Sequence, residues 1–439
     1  MNSAFRIFVL LAFLLALSGT ASAYGVTKRP DDASANRLRW KNGVIQVTLS
    51  NSLLAQSPNI RPDSDVAGAI KRSFEAWKAA GNVDFEETWS EKQNVSAAGP
   101  SGDGISLVTI AQTPENLLLF GKDSADVAAR TRVFFNAKGF ITEADIVLNP
   151  YQQFSTDGSI GTFDLESTLT HEIGHLLGLE HSSVLGATMH DNYGRNGVFS
   201  LPSFNARTLS GDDVASLRAL YGIRPDQGDC CGKIIGRITS RSGKLVQIWV
   251  VEAGTGRVSG EVTTGTDGTF RIEGLLAGDY ELFAQGSRSA KTAVSSESIG
   301  KVTVEKGKAV SVFKRLAEKV GNFGIDYIGF NGQLSDLGVL VNRGKSYTIY
   351  VGGRNLDPSR LSVELSSPFL AAVPDKEVLY DYGDGLSVMI FEIRVSPGAP
   401  LGDYSVTVAN DLGERHTLVG AVTLEEFSNP WNTAVVMDN

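Results

Sequence analysis

The spacing of apolar positions changes along the chain, and the change divides it. From Asp65 to Ala80, DVAGAIKRSFEAWKAA, the residues Val66, Ile70, Phe74 and Trp77 fall at i, i+4, i+8 and i+11. That stripe predicts an amphipathic helix ending near Gly81. Before it, Arg37 to Ser50 (RLRWKNGVIQVTLS) is rich in β-branched and aromatic residues and reads as a strand pair. Two more β runs, Thr131 to Phe135 and Phe140 to Leu148, flank the turn Asn136-Ala137-Lys138-Gly139 and predict a hairpin. A second helix is predicted from Leu165 to Leu177, capped by Asp164 and stopped by Gly178. A third runs from Gly211 to Tyr221 behind Ser210, with Asp212 and Asp213 favourably placed in its first turn. Strands and helices therefore mix up to about residue 225.

Beyond Pro225 the pattern becomes short alternating strands and glycine turns, interrupted by one short helical stretch near Ser311 to Val320. GKIIGRITS, VQIWVVEA, GTFRIEGLLAGDYELFAQG and SIGKVTVEKG form one set. SYTIYVGG, SVMIFEIRV and DYSVTVAN belong to another, from about Ile325 to Val422. This spacing predicts two β-sandwiches.

A chain of 439 residues exceeds one core, since single domains run to about 100–200 residues. At its start, Arg6, the apolar run Ile7 to Leu17 and Ala21-Ser22-Ala23 have the layout of a cleavable targeting segment that leaves Tyr24 first. The run is shorter than the roughly 20 residues a membrane helix needs, and no later segment supplies one. Secretion into a periplasm or the medium is the expectation, with no transmembrane segment. A net charge of −9 argues against nucleic acid as a partner. Cys230 and Cys231 are the only cysteines, so no disulfide framework is available. The adjacent pair leaves three states open: a vicinal disulfide, a link to another chain, or two free thiols.

Chemistry concentrates in HEIGHLLGLEH, residues 171–181. On a helix, positions i and i+4 share a face, so His171 and His175 can aim imidazole nitrogens at one point. Glu172, on the adjoining side, can reach a water activated there and act as general base. Glycine at 178 tolerates positive φ, so the chain can turn sharply and return His181 as a third ligand. Three protein ligands leave a fourth position open, which separates a catalytic zinc site from a closed structural one. Four of the five histidines lie between 171 and 190.

This segment resembles the extended zinc signature of metzincins, and Met189 lies where their Met-turn is expected. Among metzincins the chain looks most like the matrixins, through SFEAWKAAGNVDFEE, ADIVLN and LSGDDVASLRALYG as well as the motif, over roughly residues 36–223. The resemblance implies one catalytic zinc on His171, His175 and His181, Glu172 as base, Met189 supporting the site from below, and Tyr193 lining the S1′ pocket. It implies an extended peptide paired with an edge strand around Ala144 to Asn149. It departs from the matrixin pattern at Asp191, where the pocket wall usually has proline, and in lacking any histidine before 171 for a second, structural zinc. Acidic loops around Asp145 to Asp164 are of a kind that binds calcium, but an exposed acidic loop is the favoured reading of them.

Residues 232–314, most clearly TDGTFRIEGLLAGDYELFA, resemble the carboxypeptidase-regulatory-like family, and 325–422, through GAPLGDYSVTVANDLGERH, an immunoglobulin-like module of the IPT/TIG kind. Surface or matrix attachment, autoregulation and plain spacing all suit such modules. The expected fold is thus multidomain: an α+β zincin catalytic domain with a mixed sheet and three helices, followed by two all-β sandwiches. The expected division is a signal peptide at 1–23, a tail at 24–35, the matrixin-like domain at 36–225, a linker at 226–233, β-sandwiches at 234–316 and 325–422, and a tail at 423–439. The expected activity is that of a secreted zinc metalloendopeptidase acting on protein or peptide substrates. A scaffold that keeps the fold without the activity is the competing class, and the intact Glu172 speaks against it.

Overall fold

In chain order the first region holds β1 (Arg39–Trp40), β2 (Val44–Ser50), α1 (Val66–Ala80), β3 (Asp84–Ser90), β4 (Leu107–Thr109), α2 (Pro114–Leu117), β5 (Ala129–Phe135), β6 (Phe140–Leu148), β7 (Phe154–Ser155), β8 (Phe163–Asp164), α3 (Leu165–Leu176) and α4 (Gly211–Tyr221). The computed structural model describes residues 37–425 apart from 55–56, 98, 100, 122–126, 193, 198–206, 226–229, 241–244, 287–294, 318–321, 331–332, 374–377 and 382–384. The predicted signal peptide, the tail at 24–35, most of the C-terminal tail and Tyr193 therefore lie outside the described residues.

Alternation along β2 buries Ile45, Val47 and Leu49 on one face, which lets the strand lie over a core. It pairs in parallel with β3 on one side and β4 on the other. β4 pairs in parallel with β6, Val108 opposite Ile146, and β1 occupies the other end of the same β6 edge, Arg39 opposite Phe140. β5 adds an antiparallel hairpin to β6, turning through Gly139 at φ 80°. Helices α1 and α3 pack together, Ile70, Phe74 and Trp77 facing Leu169, Ile173 and Leu176 in one apolar core. The α1 boundaries agree with its sequence pattern, the Asp65 side chain accepting from Gly68 N and Gly81 closing the helix.

Four expectations change. The three helices expected are four, because the short α2, capped by the Thr113 side chain and with Pro114 in its first turn, carries too few residues to show an apolar stripe. Residues 37–50 form two strands that do not pair with each other: both run parallel to β6, because the three residues between them do not reverse the chain. Ala144 to Asn149 is not an edge. β6 is flanked by β5 on one side and by β1 and β4 on the other, and its unbroken burial from Glu143 to Leu148 is that of an interior strand. Among the described residues the sheet ends in β3 on one side and in β5 on the other, and β5 is the edge that packs beside the helix Leu165–Leu176. Finally, Ser311 lies in a strand, not a helix, since Val310 and Val312 alternate inward along β15 (Ala309–Arg315).

The first β module comprises β9 (Gly232–Thr239), β10 (Val246–Glu252), β11 (Val258–Thr263), β12 (Thr269–Leu275), β13 (Gly278–Gly286), β14 (Glu297–Val304) and β15. They form sheets ordered β11-β10-β13-β14 and β12-β9-β15 that share a core including Ile234, Ile248 and Leu282. The second comprises β16 (Gly324–Phe330), β17 (Gln333–Ser335), β18 (Val339–Val341), β19 (Ser346–Arg354), β20 (Leu361–Leu365), β21 (Leu370–Ala372), β22 (Val378–Asp381), β23 (Ser387–Val395), β24 (Gly402–Asn410) and β25 (Arg415–Leu424). Its sheets run β17-β16-β19-β23-β21, with β22 also on β23, and β18-β25-β24-β20, around Ile349, Phe391, Val406 and Val422. The Cys230–Cys231 pair is a vicinal disulfide. No helix among the described residues is long and apolar enough to cross a membrane.

The three regions meet around buried carboxyls. Asp212 accepts from Ser182 Oγ at 2.7 Å and from the Glu261 backbone N–H at 2.7 Å, joining α4 to β11. Asp403 accepts from Thr423 Oγ1. Burial pushes Asp212 and Asp403 up to about 7 and Glu425 up to about 8, and raises Glu261 and Asp213 as well. Arg257 near Asp403 and Arg207 near Glu425 oppose the effect without cancelling it. A carboxyl whose folded pKa is raised stabilises the fold fully below its unfolded value near 4, and this contribution is lost as pH rises through the folded value. Stability conferred by the junction should therefore fall between about pH 4 and 8. Thermal melts of the wild type and Asp403→Asn across that range test this: the variant keeps the Thr423 acceptor and should melt with a flatter pH profile. Equal slopes would show that Asp403 is not part of the effect.

Candidate metal centre

Helix α3 starts at Asp164, whose side chain accepts from Ser167 N and pairs with Arg207. Its interior is almost wholly buried, and Trp77 Nε1 donates to the Thr170 carbonyl at 2.8 Å, fixing α1 against the turn before the first histidine. At its end Gly178 takes φ 94°, its N–H donating to His175 O, while Leu179 N donates to Gly174 O. A Cβ at 178 would overlap the Leu38 carbonyl, so both backbone conformation and space require glycine. The reversal returns His181 to the helix face.

There the three imidazoles converge. His171 Nε2 lies 3.0 Å from His175 Nε2, which lies 3.2 Å from His181 Nε2. His171 Nδ1 is 2.7 Å from Thr188 O and His175 Nδ1 is 2.8 Å from Leu179 O. A carbonyl only accepts, so these Nδ1 atoms carry the protons and the Nε2 lone pairs face one another. Burial holds His171 well below its usual value. Burial, with His175, takes His181 down to about 3. Neutral rings with converging lone pairs repel one another and suit a divalent cation between them, which is the donor chemistry of zinc. Among the described residues this is the group of three such side chains brought within 4.8 Å. Asp145, in the stretch considered for calcium, accepts from Ser96 N and Leu107 N, and Asp164 caps α3.

Glu172 is 2% exposed and its carboxylate accepts from Thr131 Oγ1 on β5 at 2.5 Å. Sequence reasoning missed Thr131, because a lone hydroxyl on a strand carries no motif. Met189 is buried against Gly174, so closely that a Cβ there would overlap its Sδ and come within 2.9 Å of Trp77 Cζ2. Gly174→Ala should gain about 1 kcal/mol of helix propensity and lose about 1–3 kcal/mol to overpacking. A lower denaturant midpoint is expected; a higher one would show that the contact relaxes freely. Asp213, read from sequence as a first-turn acid, completes a capping box with Ser210 and also accepts from Thr188 N and Met189 N.

With this geometry in place, the comparisons bear on one region. Residues 121–222 match the matrixin family. Metalloendoproteinase 1 of Glycine max is 34% identical over 196 residues, covering 43% of this chain and 54% of that protein. Metalloendoproteinase 1-MMP of Arabidopsis thaliana is 34% identical over 201 residues, covering 43% of this chain and 45% of that protein. The chain thus spans about half the length of the curated relatives it matches. These likenesses fall on the region that holds the three converging histidines. Among solved structures, the M1 domain from titin is similar over 20% of this chain and 84% of that one, at 17% identity and a TM-score of 0.13, too low to carry an argument.

Proposed function

We propose that the chain is a secreted, zinc-dependent endopeptidase whose ligands are His171, His175 and His181 and whose general base and acid is Glu172. The observation that carries this reading is the convergence of three histidine Nε2 atoms at the end of the helix that also carries the buried Glu172. Zinc held by the three rings supplies Lewis acidity, lowering the pKa of water and polarising a carbonyl oxygen. Glu172 takes a proton from the attacking water and returns it to the leaving amine, so one carboxylate serves both steps. The Thr131 hydroxyl holds that carboxylate on the side facing β5. An extended substrate pairs with the open edge of β5, and Tyr193 lines the pocket for the residue after the scissile bond. Met189 supports the centre from below. Secretion rests on the signal-like residues 1–23. The division into a domain at 36–225 and β-sandwiches at 234–316 and 325–422, of the carboxypeptidase-regulatory-like and IPT/TIG-like kinds, belongs to the same proposal.

The test is incubation of the protein lacking residues 1–23 with a mixed peptide library, with and without a zinc chelator. Internal cleavage that chelation abolishes and added zinc restores is expected. Stoichiometric zinc with no bond cut would remove the peptidase reading.

A further inference from the structure

The loop from Ser182 to His190 joins the third histidine to Met189. Within the first region it is held by Ser182 N donating to Met189 O and by the Asp213 carboxylate. Its other walls come from the β modules. Leu185 N donates to Val419 O and Leu185 O accepts from Gly338 N, both at 3.0 Å, so the second module forms backbone bonds on either side of one loop residue. Val184 and Ala187 are buried in a cluster with Trp249, Val251 and Val258 of the first module and Val419 of the second. A Cβ at Gly186 would overlap Asp403 and Thr423, and one at Gly420 would overlap Val184. Asp212 ties Ser182, next to His181, to β11. A spacer needs none of this; apolar loop residues sealed by two further modules and bonded through their backbone form a fixed joint.

We propose that the two β modules brace this loop, setting His181 in the metal centre and Met189 beneath it, so that docking of the modules controls metal retention and turnover. Val419 and Trp249 then act as positioning residues at a distance. The proposal rests on the reading of His181 as a metal ligand.

The experiment uses the full chain carrying Val419→Asp, with Val419→Ala as the milder variant should the first fail to fold. Three quantities are read: amide hydrogen exchange of residues 182–190, the rate of zinc release to a chelator, and kcat against KM on a cleaved peptide. Exchange and zinc release are expected to rise at least tenfold for Val419→Asp and less for Val419→Ala, with kcat falling more than KM rises and protection of β2 to β6 retained. Faster loop exchange with unchanged zinc release and kcat would overturn the brace, as would an unchanged loop. If the wild type binds zinc but cleaves nothing, zinc release still tests the brace while the peptidase reading fails separately. If it binds no zinc, the metal-ligand reading and the brace built on it fail together.

Discussion

Replacing Glu172 by glutamine is expected to lower kcat/KM on a cleaved peptide by about 10²- to 10⁴-fold while one zinc per chain is retained. The isosteric amide fills the same buried space beside Thr131 but accepts no proton at neutral pH. None of the converging Nε2 atoms belongs to residue 172, so the metal should stay. The readout pairs steady-state kinetics with metal content. Activity within about tenfold of wild type would place the base elsewhere, and loss of zinc would mean that Glu172 shapes the centre itself.

His181→Ala should have the next largest effect, abolishing detectable cleavage and weakening zinc retention by more than about 100-fold, beyond the roughly 10–100-fold that loss of an outer partner causes. His171 and His175 come from one rigid helix and remain in place, but two ligands leave the cation short of a closed set. Metal titration under chelator competition measures this. Near-normal retention would show that another group completes the set.

How much of this could be read from the chain depends on the range of the interaction. The α3 and α4 boundaries and the turn at Gly178 follow from local signals: a cap residue, a helical stripe, a glycine that alone tolerates positive φ. The three histidines follow from spacing along a helix plus one turn. The sheet order was not legible, because ADIVL reads alike in an edge or an interior strand, and only the partners on both sides of β6 decide it. Thr131 was invisible for a similar reason, since its role comes from β5 passing α3 rather than from its neighbours in sequence. Asp212 and Asp213 show both limits: the capping by Asp213 obeys local rules, whereas the bonds from Glu261, Thr188 and Met189 arise only when distant segments arrive.

The open edge of β5 also has a consequence for what the protein can grasp. A strand edge reads backbone N–H and C=O groups at every second residue and is indifferent to most side chains. Proline at a position facing that edge removes a ladder donor and disrupts alignment, so proline spacing should screen substrates before any pocket does. Segments locked in helices or in intact sheets offer no unpaired backbone to add. Under the proposed reading, selection would fall first on local unfolding of the target, with loose tethers and frayed termini cut ahead of well-ordered domains that contain the same residues.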